Sequence, residues 1–80
     1  MQAFAMIMDG NVQRLSDVIE EKYGYNVILQ NATGNAAVAV GGKTAQPFNL
    51  VADASLTLIA PPSSIFIKGT NTEILNVLVS

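Results

Sequence analysis

The chain has 80 residues, a formal net charge of −2, and no histidine, cysteine or tryptophan. Its length fits a single domain, residues 1–80, and no run of residues approaches the ~20 apolar side chains of a membrane-spanning helix. Without histidine and cysteine the chain lacks the commonest general base, the commonest metal ligand and any disulfide. We therefore expect neither an enzyme nor a cofactor, and the small negative charge offers no basic surface to nucleic acid.

Charged side chains make up 12% of the chain and apolar side chains 50%, whereas an average soluble domain has about 25% charged residues. A small domain has a large surface for its volume, so it should need more polar cover than average. Two interpretations remain: the surface is polar but uncharged, or part of it is buried against other subunits. Because small monomers usually carry charge for solubility, we favour burial against other subunits.

Residues 2–8 form the first predicted strand, with Phe4, Met6 and Met8 on one face and smaller apolar side chains on the other. A turn signal follows at Asp9-Gly10-Asn11, where glycine adopts a positive φ without strain. A short extended piece at residues 12–15 leads away from this turn.

Residues 16–23 are the single candidate for a helix. Asp17 and Glu20 have the spacing of a capping box, and Gly24 suits the position just after a helix. Such a helix spans about two turns, so it must lie on the sheet to be stable. Its apolar stripe consists of Leu15, Val18, Ile19 and Tyr23.

The pattern of the remaining residues predicts short strands separated by turn-forming residues. They are predicted at residues 26–31, 36–40, 48–51, 55–60, 65–68 and 73–79, with turns that include residues 69–72. Pro61-Pro62 ends one of them because proline cannot donate to a strand ladder. The strands follow too closely for βαβ crossovers, so the pairing should be antiparallel. We predict an all-β, antiparallel, jelly-roll-like β-sandwich with one short helix near residues 16–23.

Both terminal strands are apolar on two faces, which makes them poor edges for a monomer. They could pair with each other in the centre of a sheet, as in jelly-roll sandwiches. They could instead be exchanged or augmented between subunits.

The acidic residues predict solvated surface and turns. Glu20 and Glu21 are adjacent on the predicted helix and point about 100° apart, so they cannot clasp one ion well. Asp9 and Asp53 stand in turns without the regular acidic spacing of a calcium loop. We therefore expect no metal site.

The run Gly41-Gly42-Lys43-Thr44 is similar to the end of a phosphate-binding loop, but the pattern is incomplete. The required earlier glycine is replaced by Ala37, and no helix follows to complete the phosphate cradle. A Gly-Gly hairpin loop is the simpler interpretation. With no histidine to activate a serine, and few aromatic or basic residues, a catalytic or nucleic-acid site is not expected.

Three stretches together resemble small β-rich virion proteins and fibre modules of tailed bacteriophages: VILQNATGNAAVAVGG, FNLVADASLTLIAP and SIFIKGTNTEILNVLVS. The upstream segment QRLSDVI is similar to one that often precedes them in such proteins. A glycine usual before the SLTL strand is absent, since Asp53-Ala54 stands there, so that turn is expected to differ. The resemblance implies a structural role, decorating a capsid or anchoring a fibre or spike, and carries over no functional residue.

The resemblance and the low charge together predict a non-enzymatic virion structural protein, a capsid decoration (cement) protein or a component that anchors a fibre. It would be assembled in the host cytoplasm and located in the virion. Its partners would be capsid or other virion proteins and copies of itself, with a trimer expected, and not nucleic acid, membrane or a small-molecule substrate. The predicted subunit interface comprises Phe4, Met6, Met8, Pro61, Pro62, Val77 and Val79.

The alternative from another class is a small carbohydrate- or receptor-binding β-sandwich module in a tail or adsorption structure. A sugar site usually needs an exposed aromatic platform with polar neighbours. Tyr25 would supply the aromatic ring and Asn26 a polar neighbour, although the chain has no tryptophan.

Overall fold

Eight strands form two four-stranded antiparallel sheets in the computed structural model, which describes residues 1–70 and 73–80. Sheet A has the strand order β1-β8-β3-β6, and sheet B has the order β2-β7-β4-β5. In chain order the strands are β1 (Gln2–Ile7), β2 (Val12–Arg14), β3 (Asn26–Asn31), β4 (Val38–Gly41), β5 (Phe48–Leu50), β6 (Ser55–Ile59), β7 (Phe66–Lys68) and β8 (Ile74–Val79).

The strand pairing follows the jelly-roll pattern. β1 pairs with β8, β2 with β7, β3 with β6 and β4 with β5, all antiparallel. The two halves of the chain therefore run beside each other like one long hairpin, rolled up so that successive pairs alternate between the sheets. The predicted antiparallel, jelly-roll-like β-sandwich is confirmed.

The terminal strands pair with each other along their full lengths, from Gln2 opposite Val79 to Ile7 opposite Ile74. β8 lies inside sheet A between β1 and β3, whereas β1 forms an edge of the sheet. Of the two alternatives, the terminal strands pair with each other within one chain, and only β8 takes a central position.

The core lies between the two sheets because alternate side chains of each strand point inward. In β8, Val77 is fully buried while Ile74 and Asn76 on the other face are exposed. The buried apolar residues are Met6, Met8, Leu15, Ile19, Val27, Leu29, Val38, Val40, Leu50, Ile65, Ile67, Leu75, Val77 and Val79.

The prediction of a helix near residues 16–23 is wrong, because this segment contains two separate 3-10 turns, Leu15–Asp17 and Glu21–Tyr23. A two-turn α-helix gains few hydrogen bonds for the entropy of nucleating it. Tertiary contacts hold the first turn instead, since the N–H of Leu15 donates to the carbonyl oxygen of Ile65 at 2.9 Å.

The details of the helix prediction fail in part. Leu15 and Ile19 point into the core as the apolar stripe requires, but Val18 is 43% exposed. The first turn starts after Arg14 and ends at Asp17, so Asp17 does not stand at the N-cap position that the predicted capping box requires.

Asn31, at the end of β3, connects the two sheets through its side chain. Its Nδ2 donates to the carbonyl oxygens of Leu50 in β5, at 2.9 Å, and of Ala36, at 3.0 Å. Its Oδ1 accepts a hydrogen bond of 3.0 Å from Nδ2 of Asn35. Because Asn31 is 4% exposed, these bonds replace those that water would make.

The turn predicted at residues 69–72 is described only at its start, since residues 71–72 lie outside the described part of the chain. Gly69 is buried there against Met8. A Cβ at Gly69 would overlap Cβ and Cγ of Met8 and would lie 2.7 Å from Oε1 of Glu73. The lack of a side chain is what lets the chain pass this close to β1 and β8.

We expect Gly69→Ala to lower the free energy of unfolding by about 1–3 kcal/mol, because overpacking displaces Met8 and Glu73. Urea denaturation followed by circular dichroism measures the loss. Gly42→Ala is the matched control, because nothing lies within 4 Å of a Cβ at that exposed position. Equal effects at the two sites would contradict a packing origin.

Candidate functional site

The residues predicted to form a subunit interface do not share one surface. Phe4 is half-buried, with its ring centroid 5.5 Å from that of Tyr23. Pro61 is half-buried and Pro62 is buried at the start of a 3-10 turn. The other four point into the core at 0–1% exposure and leave no surface for a neighbour to contact: Met6, Met8, Val77 and Val79.

The side chains of β1, β3, β6 and β8 that point away from the core form the outer face of sheet A. This face has no charged residue among its strand positions. Ile59 is 82% exposed and Ile7 is 62% exposed, and Ile7 stands directly opposite Ile74. Ile7 and Ile74 form an exposed apolar pair, whereas Ile59 lies at the opposite corner of the same face. The face consists of Ala3, Ala5, Ile7, Asn26, Ile28, Gln30, Ser55, Thr57, Ile59, Ile74, Asn76 and Leu78.

The outer face of sheet B differs because it carries basic side chains. Arg14 in β2 holds its guanidinium 5.4 Å from the ring centroid of Phe66, and Lys68 follows on the same strand as Phe66. Val12 on this face is 43% exposed. Charge is therefore present on one outer face of the sandwich and missing from the other.

An open apolar groove of about 350 Å³ lies between the two sheets, where β5 and β6 form neighbouring edges. Its size falls in the range of ligand pockets, but no charged side chain lines it, and the hydroxyl of Ser64 already donates to Pro61 at 2.8 Å. The groove suits apolar side chains and not a polar substrate. Its main walls are Val40, Pro47, Phe48, Leu56, Leu58 and Ile65.

The opposite side of the sandwich, where β1 and β2 form the edges, is filled by the chain itself. Leu15 and Ile19, which follow β2, belong to the buried core, and Tyr23 packs against it beside Phe4. The groove is therefore open on the side of the sandwich where β5 and β6 form the edges.

The turns with acidic residues are built by local hydrogen bonds. The N–H of Asn11 donates to Oδ1 of Asp9 at 2.9 Å, and the hydroxyl of Thr33 donates to Oδ1 of Asp53. Within residues 1–70 and 73–80, no group of three acidic side chains is placed to hold a metal ion. Asp53 has a φ of 66°, which fits its place in a tight connection between β5 and β6.

The Gly41-Gly42-Lys43-Thr44 run belongs to the hairpin that joins β4 and β5, as the simpler interpretation predicted. The N–H of Gly42 donates to the carbonyl oxygen of Ala45 at 2.9 Å. Nε2 of Gln46 donates to the carbonyl oxygen of Gly42 at 2.7 Å. One backbone bond and one bond from the Gln46 side chain thus close the loop.

Lys22 and Glu20 form an exposed ion pair, with Nζ 3.1 Å from Oε2. The hydrogen bond to Glu20, followed by the attraction of its charge and that of Tyr23, raises the pKa of the Lys22 ammonium. An exposed pair of this kind contributes little to stability. The side chains of Glu20 and Lys22 are therefore solvated surface.

Sequence reasoning missed both the groove and the outer face of sheet A. The signal for the face was present, because Ile7, Ile59 and Ile74 alternate with residues that are inward-facing in the sandwich. The sequence did not show which face of each strand points into the core, because both faces contain apolar residues.

The fold and the groove define a small jelly-roll β-sandwich with one uncharged outer face. Comparison of the chain with protein-family models, with curated proteins and with solved structures finds no match. Among the described residues, no helix is long and apolar enough to cross a membrane.

Proposed function

We propose that the protein is a non-enzymatic structural protein of a tailed-bacteriophage virion, a capsid decoration protein that stabilises the head or anchors a fibre. The observation that carries the proposal is the outer face of sheet A, where exposed isoleucines stand among uncharged side chains. A neighbouring virion protein buries this face in the assembled particle. The partners are capsid or other virion proteins and further copies of the chain.

An uncharged face is well suited to burial. No ionised group has to lose its hydration when the face is covered, and each Å² of apolar surface that is buried contributes about 25 cal/mol. On a repeating lattice many copies are held side by side, so each contact can be small and the whole layer still stable.

The architecture is compatible with this role. Eight-stranded jelly rolls occur in viral capsid proteins and in lectins. Because one fold serves many functions, this likeness is an analogy, and the proposal depends on the chemistry of the outer face of sheet A.

A carbohydrate- or receptor-binding module is the second candidate, because Tyr25 is 51% exposed next to the start of β3. An exposed aromatic ring can support a sugar. The neighbouring side-chain amide of Asn26 already donates to the carbonyl oxygen of Ser80 at 3.1 Å. That hydrogen bond is therefore not free for a sugar hydroxyl. Glycan-array binding that disappears in Tyr25→Ala would favour this candidate over the virion role.

We expect the double variant Ile7→Ser and Ile74→Ser to fold normally and to reduce the amount of the protein on particles about tenfold or more. The two side chains are exposed and adjacent, so their loss removes apolar contact area with a neighbour without opening the core. The measurement is quantitative mass spectrometry of gradient-purified particles of the phage that encodes the chain.

Val12→Ser is the matched control, because Val12 is exposed to a similar degree on the outer face of sheet B. Its occupancy on particles should equal that of the unsubstituted protein. Absence of the unsubstituted chain from purified particles would overturn the virion proposal.

A further inference from the structure

The outer edge of β6 presents unpaired backbone groups at three residues. The N–H of Ala60 donates to Tyr25, and the carbonyl oxygen of Ala54 accepts from Asn31, at 2.9 and 3.0 Å. Because hydrogen-bonded pairs alternate along an antiparallel ladder, the even-numbered residues of β6 bond to β3. The N–H and C=O groups of Ser55, Thr57 and Ile59 therefore point away from β3, on the side where β6 has no strand partner among the described residues.

These free groups are arranged symmetrically about Thr57. A second β6 laid antiparallel on the first, with Thr57 opposite Thr57, places Ser55 opposite Ile59 of the second copy and Ile59 opposite its Ser55. All three pairs then exchange both of their backbone hydrogen bonds. β6 contains no charge and no proline, so nothing in the strand opposes this pairing.

The side chains of β6 match the same arrangement. On the inner face, Leu56 would stand opposite Leu58 of the second copy, and Leu58 opposite its Leu56. Both leucines are half-buried and form part of the groove wall. The leucines of the second copy would cover the open mouth of the groove, which contains no polar group that needs water.

The other sheet edges are less suited to pairing. In β1 the carbonyl oxygen of Ile7, one of its outward groups, already accepts from Nε2 of Gln13 at 3.2 Å. β2 and β5 have three residues each, β2 carries Arg14, and Pro47 precedes β5. Short, charged or proline-flanked edges resist strand addition.

We propose that a second copy of this chain binds to the free edge of β6, antiparallel and two-fold symmetric about Thr57. The two copies of sheet A then form one continuous eight-stranded sheet, and the two grooves close against each other. This symmetry differs from the trimer expected from the sequence. The inference depends on β6 and the groove alone, so it does not require the virion role.

The test is the mass of the full chain in solution, measured by light scattering from about 1 µM to about 1 mM. The unsubstituted protein should reach twice its chain mass of 8.4 kDa. Thr57→Pro should stay at the mass of one chain throughout, because proline removes the N–H at the centre of the pair and is tolerated at a free edge.

A charge pair tests the two-fold register. Thr57→Lys and Thr57→Glu each place like charges opposite each other, so each variant alone should associate about fivefold more weakly or worse, and an equal mixture should recover the dimer. Ala5→Lys is the matched control, since Ala5 is the exposed central residue of the β1 edge. It should dimerise like the unsubstituted protein.

Thermal unfolding of each variant shows whether it is folded. A monomer or a closed trimer of the unsubstituted protein at about 1 mM would overturn the proposal. So would a dimer that survives Thr57→Pro, or one that is disrupted by Ala5→Lys instead. A monomeric chain that is nevertheless found on virions would overturn this inference and leave the proposed function in place.

Discussion

Replacing Asn31 with aspartate is expected to lower the free energy of unfolding by about 3–5 kcal/mol at neutral pH. The substitution removes both hydrogen bonds that Nδ2 donates to Ala36 and Leu50. It also sets a carboxylate against two carbonyl oxygens at a site that is 4% exposed. The contact that ties β3 to β5 becomes repulsive, and the measurement is urea denaturation.

The loss at Asn31 should depend on pH. Burial and the facing carbonyl oxygens raise the pKa of the introduced carboxyl above its value in the unfolded chain. The free energy of unfolding of the variant is therefore lowered most at pH values above that pKa. The difference from the unsubstituted protein should shrink as the pH falls toward about 4, because the protonated carboxyl group can donate one hydrogen bond.

Asn49→Asp is the matched control, because Asn49 is exposed on the outer face of sheet B. Its unfolding free energy should change by less than about 0.5 kcal/mol. An Asn31→Asp deficit that is the same at every pH would contradict the charge-based explanation.

Leu29→Ala is expected to lower the free energy of unfolding by about 2–5 kcal/mol, through lost burial and the cavity that remains. Leu29 is fully buried in β3, which lies between β8 and β6 in sheet A. A domain of this size has a small total stability, so the variant should melt at a much lower temperature. Differential scanning calorimetry measures the change.

Val51→Ala is the control for Leu29→Ala, because Val51 is 55% exposed in the connection between β5 and β6. A surface change of this kind usually alters stability by less than about 0.5 kcal/mol. If Leu29→Ala had as small an effect, the centre of sheet A would have to repack around the missing side chain.

Much of the strand content could be predicted because alternation is a local signal. The strand predicted at residues 73–79 runs from Ile74 to Val79 in the structure, and the Pro61-Pro62 pair does end β6. The helix prediction failed because Leu15 and Ile19 reach the core without a continuous helix, from a segment with two 3-10 turns that leaves Val18 exposed. The N–H of Leu15 donates to the carbonyl oxygen of Ile65, and the N–H of Ile19 donates to that of Leu15.

The candidate site was less predictable because it depends on which face of a strand points inward. The large side chains of Met6 and Met8 led to the interface prediction, yet both are buried in the core between the two sheets. The groove combines Phe48, Leu58 and Ile65 from separate parts of the chain. No local pattern places these residues around one opening.

The interior position of β8 has a consequence for how the protein is made. Because synthesis proceeds from the N-terminal to the C-terminal side, neither β1 nor one edge of β3 can pair in sheet A until residues 74–79 have been made. Sheet A can therefore be completed only after β8 has been made, and the long loop closed by pairing β1 with β8 makes this step slow. Until then β1 has no partner in sheet A and β3 has only β6, so unpaired strand edges on the nascent chain are open to aggregation.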